Sequence, residues 1–306
     1  MKKIVSIFLL CFVSLAIAAP LKNMVVFGDS LSDNGNLYEY LNKQVPLSPP
    51  YYDGRFTNGE VWVERLAHHY FGDDTSSRLL DYAFGGAGVS EDPDDDGLFT
   101  LRSEIQSYLV AHGDKADSES LFVVWIGANN YLAVPDDKEA AVKEVVDGIS
   151  KGLARLADNG AKHIVVLNLP DLGRTPAGAL FDAKEQLTAL AILHNQALGD
   201  SVQQLKVQYP DVEWALVDVN TKFTDMLNHP GQYGFTNITD TCYDALTSAP
   251  SEMSMVQMAS HVKHRFAAKN CEGYFFFDPV HPTEGVHEVM ANTAYERFED
   301  LGISFK

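Results

Sequence analysis

Met24-Val25-Val26-Phe27-Gly28-Asp29-Ser30-Leu31-Ser32-Asp33 opens with four apolar residues, stops at a glycine and then turns polar. An apolar run without alternation is what a strand buried on both faces requires. The glycine and the short polar residues after it are turn formers. The same pattern recurs down the chain. The run 79–84 leads into Gly85-Gly86, 121–126 into Gly127-Ala128-Asn129-Asn130, and 164–169 into Pro170-Asp171-Leu172-Gly173. Residues 214–219 form a fifth run, and 274–277 a short sixth one ending at Asp278-Pro279. Between them, 61–70, 101–112, 138–157, 183–208 and 284–301 carry apolar residues at helical spacing. Strands alternating with helices predict a three-layer α/β sandwich, a central parallel sheet with helices on both faces. No linker rich in Pro, Gly or Ser divides the pattern, so residues 19–306 read as a single domain. In an open parallel sheet the ligand crevice lies outside the carboxyl ends of the strands. The segments expected there carry Ser30, Gly86, Asn129 and Asp278.

Composition narrows the function. The chain has 306 residues, 46% hydrophobic and 21% charged, which is ordinary for a folded domain. Its formal net charge of −19 excludes the basic footprint that nucleic acid binding needs. It also disfavours electrostatic anchoring to anionic membranes. Lys2 and Lys3, the apolar stretch 4–15 and Ala16-Ile17-Ala18 have the three parts of a secretory signal peptide, covering residues 1–18. The stretch is too short for a good membrane span, so an exported protein without a stable membrane anchor is expected. Leu10 before Cys11 is not the small residue that a lipoprotein signal needs. Cys242 and Cys271 then remain, and in an exported protein they most simply form a disulfide. Closing a loop of about 30 residues is worth about 3–4 kcal/mol in the chain-entropy model. A metal site is the rival, but there is no CxxC pair.

Asp278-Pro279-Val280-His281-Pro282 offers an acid and a histidine three residues apart, stiffened by two prolines. A carboxylate at that spacing can fold back onto imidazole Nδ1, which is how a nucleophilic hydroxyl is activated. The chain has no G-x-S-x-G nucleophile elbow. Gly-Asp-Ser occurs twice. Gly199-Asp200-Ser201 lies inside the longest helical pattern and reads as a decoy. Gly28-Asp29-Ser30 follows the first strand, where a turn can present Oγ and a backbone N–H together. Asp171 and Asp218 are spare candidates for the acid.

Phe27-Gly28-Asp29-Ser30-Leu31-Ser32-Asp33-Asn34-Gly35-Asn36 resembles the first block of the GDSL, or SGNH, hydrolases. Tyr82-Ala83-Phe84-Gly85-Gly86-Ala87 resembles the second, Gly127-Ala128-Asn129-Asn130 the third, and Asp278-Pro279-Val280-His281-Pro282-Thr283 the last. The four blocks stand in the family's order and span nearly all of residues 19–306. The resemblance implies a flavodoxin-like fold and no cofactor or metal. It implies Ser30 as nucleophile, His281 as base and then acid, and Asp278 as its orienting carboxylate. It implies an oxyanion hole made by the backbone N–H of Ser30, the backbone N–H of Gly86 and the side-chain amide of Asn129. Gly85 adjoins Gly86, and which of the two donates stays open. The family's third block usually ends in Asp, where this chain has Asn130.

Pro49-Pro50-Tyr51-Tyr52-Asp53-Gly54-Arg55-Phe56-Thr57-Asn58-Gly59, followed by Val61-Trp62, resembles the lipase-type members. With the leader and the late cysteines, it points to the branch of secreted bacterial phospholipases A, lysophospholipases A of the PlaA type, and glycerophospholipid–cholesterol acyltransferases. A phospholipid or lysophospholipid substrate follows, a sterol is a candidate acyl acceptor, and a monomer is expected. An acyl-enzyme can be resolved by water or by an alcohol, so hydrolysis and transfer share one site. A carbohydrate acetyl esterase and a non-catalytic flavodoxin-like binding module are the competing readings.

The segment 223–271 shows no clear strand and contains Met226, Met253, Met255 and Met258. It reads either as a cover over an acyl groove tied by Cys242–Cys271 or as an insertion that merely packs. Asp92-Pro93-Asp94-Asp95-Asp96-Gly97 matches only the first half of a calcium loop and reads as a solvated acidic loop. His68-His69 and the pair His261 and His264 lack carboxylate or Cys partners at ligand spacing. Asn237-Ile238-Thr239 is a glycosylation sequon, relevant only in a eukaryotic secretory pathway.

Overall fold

Five of the six apolar runs form one sheet. The strands are β1 (Asn23–Gly28), β2 (Leu79–Asp81), β3 (Ser120–Trp125), β4 (His163–Leu167) and β5 (Glu213–Val217). They lie in the order β2-β1-β3-β4-β5, and every neighbouring pair is parallel. This is the flavodoxin-like order. The computed structural model describes residues 20–90, 99–243 and 270–306. The expected signal peptide, the acidic loop at 92–97 and His261 and His264 lie outside the described residues, as does most of the expected cover.

The helices are α1 (Asn36–Tyr40), α2 (Trp62–Phe71), α3 (Thr75–Arg78), α4 (Leu101–Ala111), α5 (Lys138–Asp158), α6 (Pro176–Leu180), α7 (Lys184–Gln208), α8 (Val219–Asn228) and, last in the chain, α9 (Glu284–Asp300). Right-handed crossovers put the connection from β1 back to β2 on one face and those from β2, β3 and β4 onward on the other. Aromatic contacts agree. Tyr108 of α4 meets Phe122, whereas Trp62 of α2 and Phe223 of α8 meet Trp125, which points to the opposite face of β3. The central β3 is buried along its whole length, which is why its sequence carries no alternation.

The second and sixth runs differ from expectation. β2 is regular only as far as Asp81: Tyr82 and Phe84 still donate their N–H groups to the carbonyls of Val26 and Gly28, but the Gly28 N–H turns to Glu104 instead of pairing back. On the open edge, side chains serve the outward-facing backbone groups. Asp81 accepts the Ala83 N–H, and the Asn36 amide donates to the carbonyls of Asp81 and Ala83. The sixth run forms β7 (Tyr274–Phe276), which stays out of the main sheet and pairs in parallel with β6 (Asn237–Thr241). The expectation of no strand in 223–271 is therefore wrong at β6, and its first residues belong to α8. β6 reads Asn-Ile-Thr-Asp-Thr and has no fully buried residue, so it carries no hydrophobic pattern. Cys242, just after it, is joined to Cys271 by a disulfide with Cα atoms 5.4 Å apart.

Candidate active site

The chain order of the sheet reverses between β1 and β3, so their carboxyl ends open a crevice between them. The segments that follow these two strands carry Ser30 and Asn129. After β1 the chain turns sharply. The Asp29 carbonyl accepts the N–H groups of Ser32 and Asp33, and the Asp29 carboxylate accepts that of Leu31. Gly28 has no room for a side chain, because an added Cβ would stand 2.5 Å from the Trp125 carbonyl oxygen. Its N–H donates to buried Glu104 at 2.9 Å.

Ser30 Oγ lies 2.8 Å from His281 Nε2, and His281 Nδ1 lies 2.6 Å from Asp278 Oδ2. All three residues are buried. The carboxylate fixes the tautomer, with Nδ1 donating to Asp278 and Nε2 free to accept the Ser30 proton. Asp278 Oδ1 accepts the N–H groups of Val280 and His281, and its Oδ2 also accepts the Tyr51 hydroxyl at 2.7 Å. Burial pushes the Asp278 carboxyl upward. The His281 charge and these hydrogen bonds outweigh it and hold the group below its ordinary value. The Asp278 loop is itself braced. Pro279 C=O accepts the Ala177 N–H from α6, and Pro282 C=O accepts the Thr57 hydroxyl. Asp171 and Asp218, the spare acids, are engaged elsewhere, with Thr188 and Gly173 and with Thr221 and Asn168.

Asp33 bears on the choice between the two glycines. Its carboxylate accepts the N–H groups of Gly35, Asn36, Leu37 and Gly85. The Gly85 N–H is thus engaged inside the protein, while Gly86, with φ of +79°, adopts the left-handed backbone that favours glycine. The Asn129 amide donates to the Ala87 carbonyl at 2.7 Å and lines the same pocket as Ser30 and His281. Asn130 uses both ends of its amide on Val89, accepting its N–H and donating to its C=O, each at 2.9 Å. A carboxylate could only accept, so the departure from Asp is accommodated by an extra bond. Ser201 of the second Gly-Asp-Ser sits in α7 and bonds Ser150 of α5, away from the crevice. His68 and His69 form no metal cluster; among the described residues no group of His, Cys, Asp and Glu is arranged to hold an ion.

Beside Ser30 a pocket runs between Leu31, Leu132, Leu172, Phe223, Leu227 and Val280. The arrangement of hydroxyl, imidazole, buried carboxylate and nearby amides can transfer a proton and receive an acyl group. Sequence reasoning missed Tyr51 and Glu104. Tyr51 lies within a quoted motif, but nothing local says that its hydroxyl reaches a residue 227 positions away. Glu104 was hidden in the first turn of α4, where an acid is ordinary.

Several buried carboxyls make stability depend on pH. Burial raises Asp29 to about 6, and raises Asp81 and Glu104 well above their ordinary values. Each is then more easily protonated folded than unfolded, so each burdens the native state once pH exceeds its unfolded value. Asp33, also raised to about 6, adds to this, while buried His194 and His287, pushed down to about 3, oppose it because their unfolded counterparts take up protons below about 6.5; with four carboxyls against two imidazoles, a net gain in stability is expected as pH falls from about 7 toward 5. Thermal unfolding between pH 4.5 and 8 checks this; a Tm that falls steadily over that range on acidification would contradict it.

Residues 24–294 match the family model described as GDSL-like Lipase/Acylhydrolase, and the chain belongs to that family. It is an ester hydrolase of the esterase and lipase type. It is 33% identical over 304 residues to a phosphatidylcholine-sterol acyltransferase of Aeromonas hydrophila, covering 89% of this chain and 88% of that one. It is 27% identical to the thermolabile hemolysin of Vibrio parahaemolyticus over 92% of this chain, which spans 65% of that protein. Among solved structures, phospholipase A1 from Streptomyces albidoflavus aligns over 90% of this chain and 98% of that one, with 12% identity and a TM-score of 0.42.

Proposed function

We propose that the protein is an exported serine esterase that cleaves fatty acyl esters of phospholipids and lysophospholipids through an acyl-enzyme on Ser30. The observation that carries this reading is the apolar pocket that opens directly beside the Ser30–His281 pair. The relation to a phosphatidylcholine-sterol acyltransferase supports the lipid substrate and keeps a sterol in view as acceptor. The Cys242–Cys271 disulfide supports export.

In this mechanism the Ser30 hydroxyl attacks the ester carbonyl carbon as its proton passes to His281 Nε2. The oxyanion forms against the N–H groups of Ser30 and Gly86 and the amide of Asn129. Asp278 stabilises the imidazolium. His281 then returns the proton to the departing glycerol oxygen, leaving the acyl group on Ser30. Water, deprotonated by the same imidazole, releases the fatty acid; an alcohol in its place gives acyl transfer.

Arg174 bears on the head group. It is exposed at the pocket, its Nη1 donating to Asn228 at 3.0 Å. Among the described pocket-lining residues it is the only Arg or Lys, in a chain of net charge −19. A guanidinium there suits a phosphodiester. Arg174→Ala is expected to raise KM for monoacyl phosphatidylcholine by about 3–10-fold, the range of a partly screened charged hydrogen bond. The rate on a neutral p-nitrophenyl ester should hardly change. Fatty-acid release from monoacyl and diacyl phosphatidylcholine, with acetylated polysaccharide alongside, tests the substrate class. Release of acetate alone would overturn the lipid reading.

A further inference from the structure

Tyr51 reaches the buried acid from a distant loop. Its hydroxyl donates to Asp278 Oδ2 at 2.7 Å, the same oxygen that receives His281 Nδ1 at 2.6 Å. The ring is 3% exposed and is clamped by three other aromatic rings, Phe277 at 5.1 Å, Tyr243 at 5.8 Å and Phe56 at 6.0 Å between centroids. Phe56 lies in turn 5.2 Å from the His281 ring. A clamped ring cannot swing its hydroxyl away, so the donor is a fixed feature of the carboxylate. Proton transfer needs no donor at that position, because Asp278 already has His281 and two backbone N–H groups.

We infer that Tyr51 is a positioning residue of the ester-cleaving centre: by sharing Asp278 Oδ2 with the imidazole, it orients the carboxylate and tempers the basicity of His281. The physical basis is simple. A hydrogen bond to a carboxylate oxygen draws charge from it and weakens its hold on the neighbouring imidazolium. Removing the donor concentrates charge on Oδ2, favours the imidazolium and frees the carboxylate to rotate. The titratable and charged groups facing this cluster are Asp29 from the nucleophile turn, His287 from α9 with Arg65 behind it, and Tyr243 beside Tyr51. Asp29 is raised by burial to about 6 and lies close by, so a probe of His281 itself is required.

The inference rests on the esterase reading, and its test is chosen to separate the two. The full-length mature protein with isotopically labelled histidine is titrated by NMR, as native and as Tyr51→Phe, which keeps the ring. The His281 titration is expected to move up by about 0.5–1 pH unit in the variant. The acid limb of kcat/KM on a neutral ester should move with it, with kcat lower by about 3–30-fold and KM unchanged. Incorporating 3-fluorotyrosine at position 51 keeps a donor and makes it more acidic, so it should shift both curves down. This arm serves also if Tyr51→Phe fails to fold. Titrations that superpose on native in the variants, even with lower kcat, would reduce Tyr51 to packing and overturn the inference. If the native protein cleaves no ester, the esterase reading fails while the imidazole titration still decides the part played by Tyr51.

Discussion

Ser30→Ala is expected to lower the turnover number on a carboxylic ester by about 10⁴–10⁶-fold while leaving KM nearly unchanged. The size follows from the site. Ser30 Oγ is the hydroxyl that His281 Nε2 touches, and the imidazole is already held by a buried carboxylate on its other side. Without Oγ the pair has no nucleophile to activate, and only the amides around the oxyanion remain to stabilise attack by water. His281→Ala should fall in the same range, because an unassisted hydroxyl at neutral pH is a weak nucleophile. The double variant should lose little more than either single one, since the three groups act as a unit. Stability should change far less, as among the described residues the Ser30 side chain hydrogen-bonds only to His281 and removing its oxygen leaves a small void. Burst kinetics on a p-nitrophenyl ester, with a serine-directed fluorophosphonate as label, measures both nucleophile and acyl-enzyme. A Ser30→Ala variant that keeps more than a hundredth of native activity, or that still takes the label, would move the nucleophile elsewhere.

What could be read from sequence alone follows a physical line. The inner strands β1, β3 and β4 were legible because burial on both faces forces continuous apolar runs, and the long helices because one face of each is buried. The Asp278–His281 pair was legible because it is local: three residues and two prolines limit where the side chains can go. β6 was not legible, because a short strand with no fully buried residue needs no hydrophobic pattern. Nor was the fate of the sixth run. Tyr274–Phe276 has the composition of a buried strand, and only the tertiary structure pairs it with β6 instead of β5. The ambiguity between Gly85 and Gly86 is of the same kind. It turns on Asp33, 52 residues upstream, whose carboxylate takes the Gly85 N–H. Tyr51 combines both difficulties, being distant in sequence from Asp278 and carried by a loop without periodicity. Side chains that act at long range through one hydrogen bond leave no spacing to read.

The second large effect concerns Asn129. Its amide nitrogen donates to Ala87 C=O with one proton and has a second for a ligand in the pocket shared with Ser30. Asn129→Ala should lower kcat by about 10²–10³-fold with KM little changed, the signature of an interaction made mainly in the transition state. The companion variant Asn129→Asp is the more discriminating. The Asn129 Oδ1 is buried and has no hydrogen-bond partner among the described residues. A carboxylate of the same shape would set a negative charge beside the developing oxyanion and near the Ala87 carbonyl, with one oxygen unpartnered. Above the pKa of that new carboxyl, Asn129→Asp should therefore be slower than Asn129→Ala, although it restores the volume. Below that pKa the protonated acid regains an O–H donor, so the ratio of the two rates should rise on acidification. Rates for the two variants between pH 4.5 and 8 give the answer. An Asn129→Asp enzyme as fast as native at neutral pH would show that the amide donates nothing to the oxyanion, and the donor set would shrink to the backbone of Ser30 and Gly86.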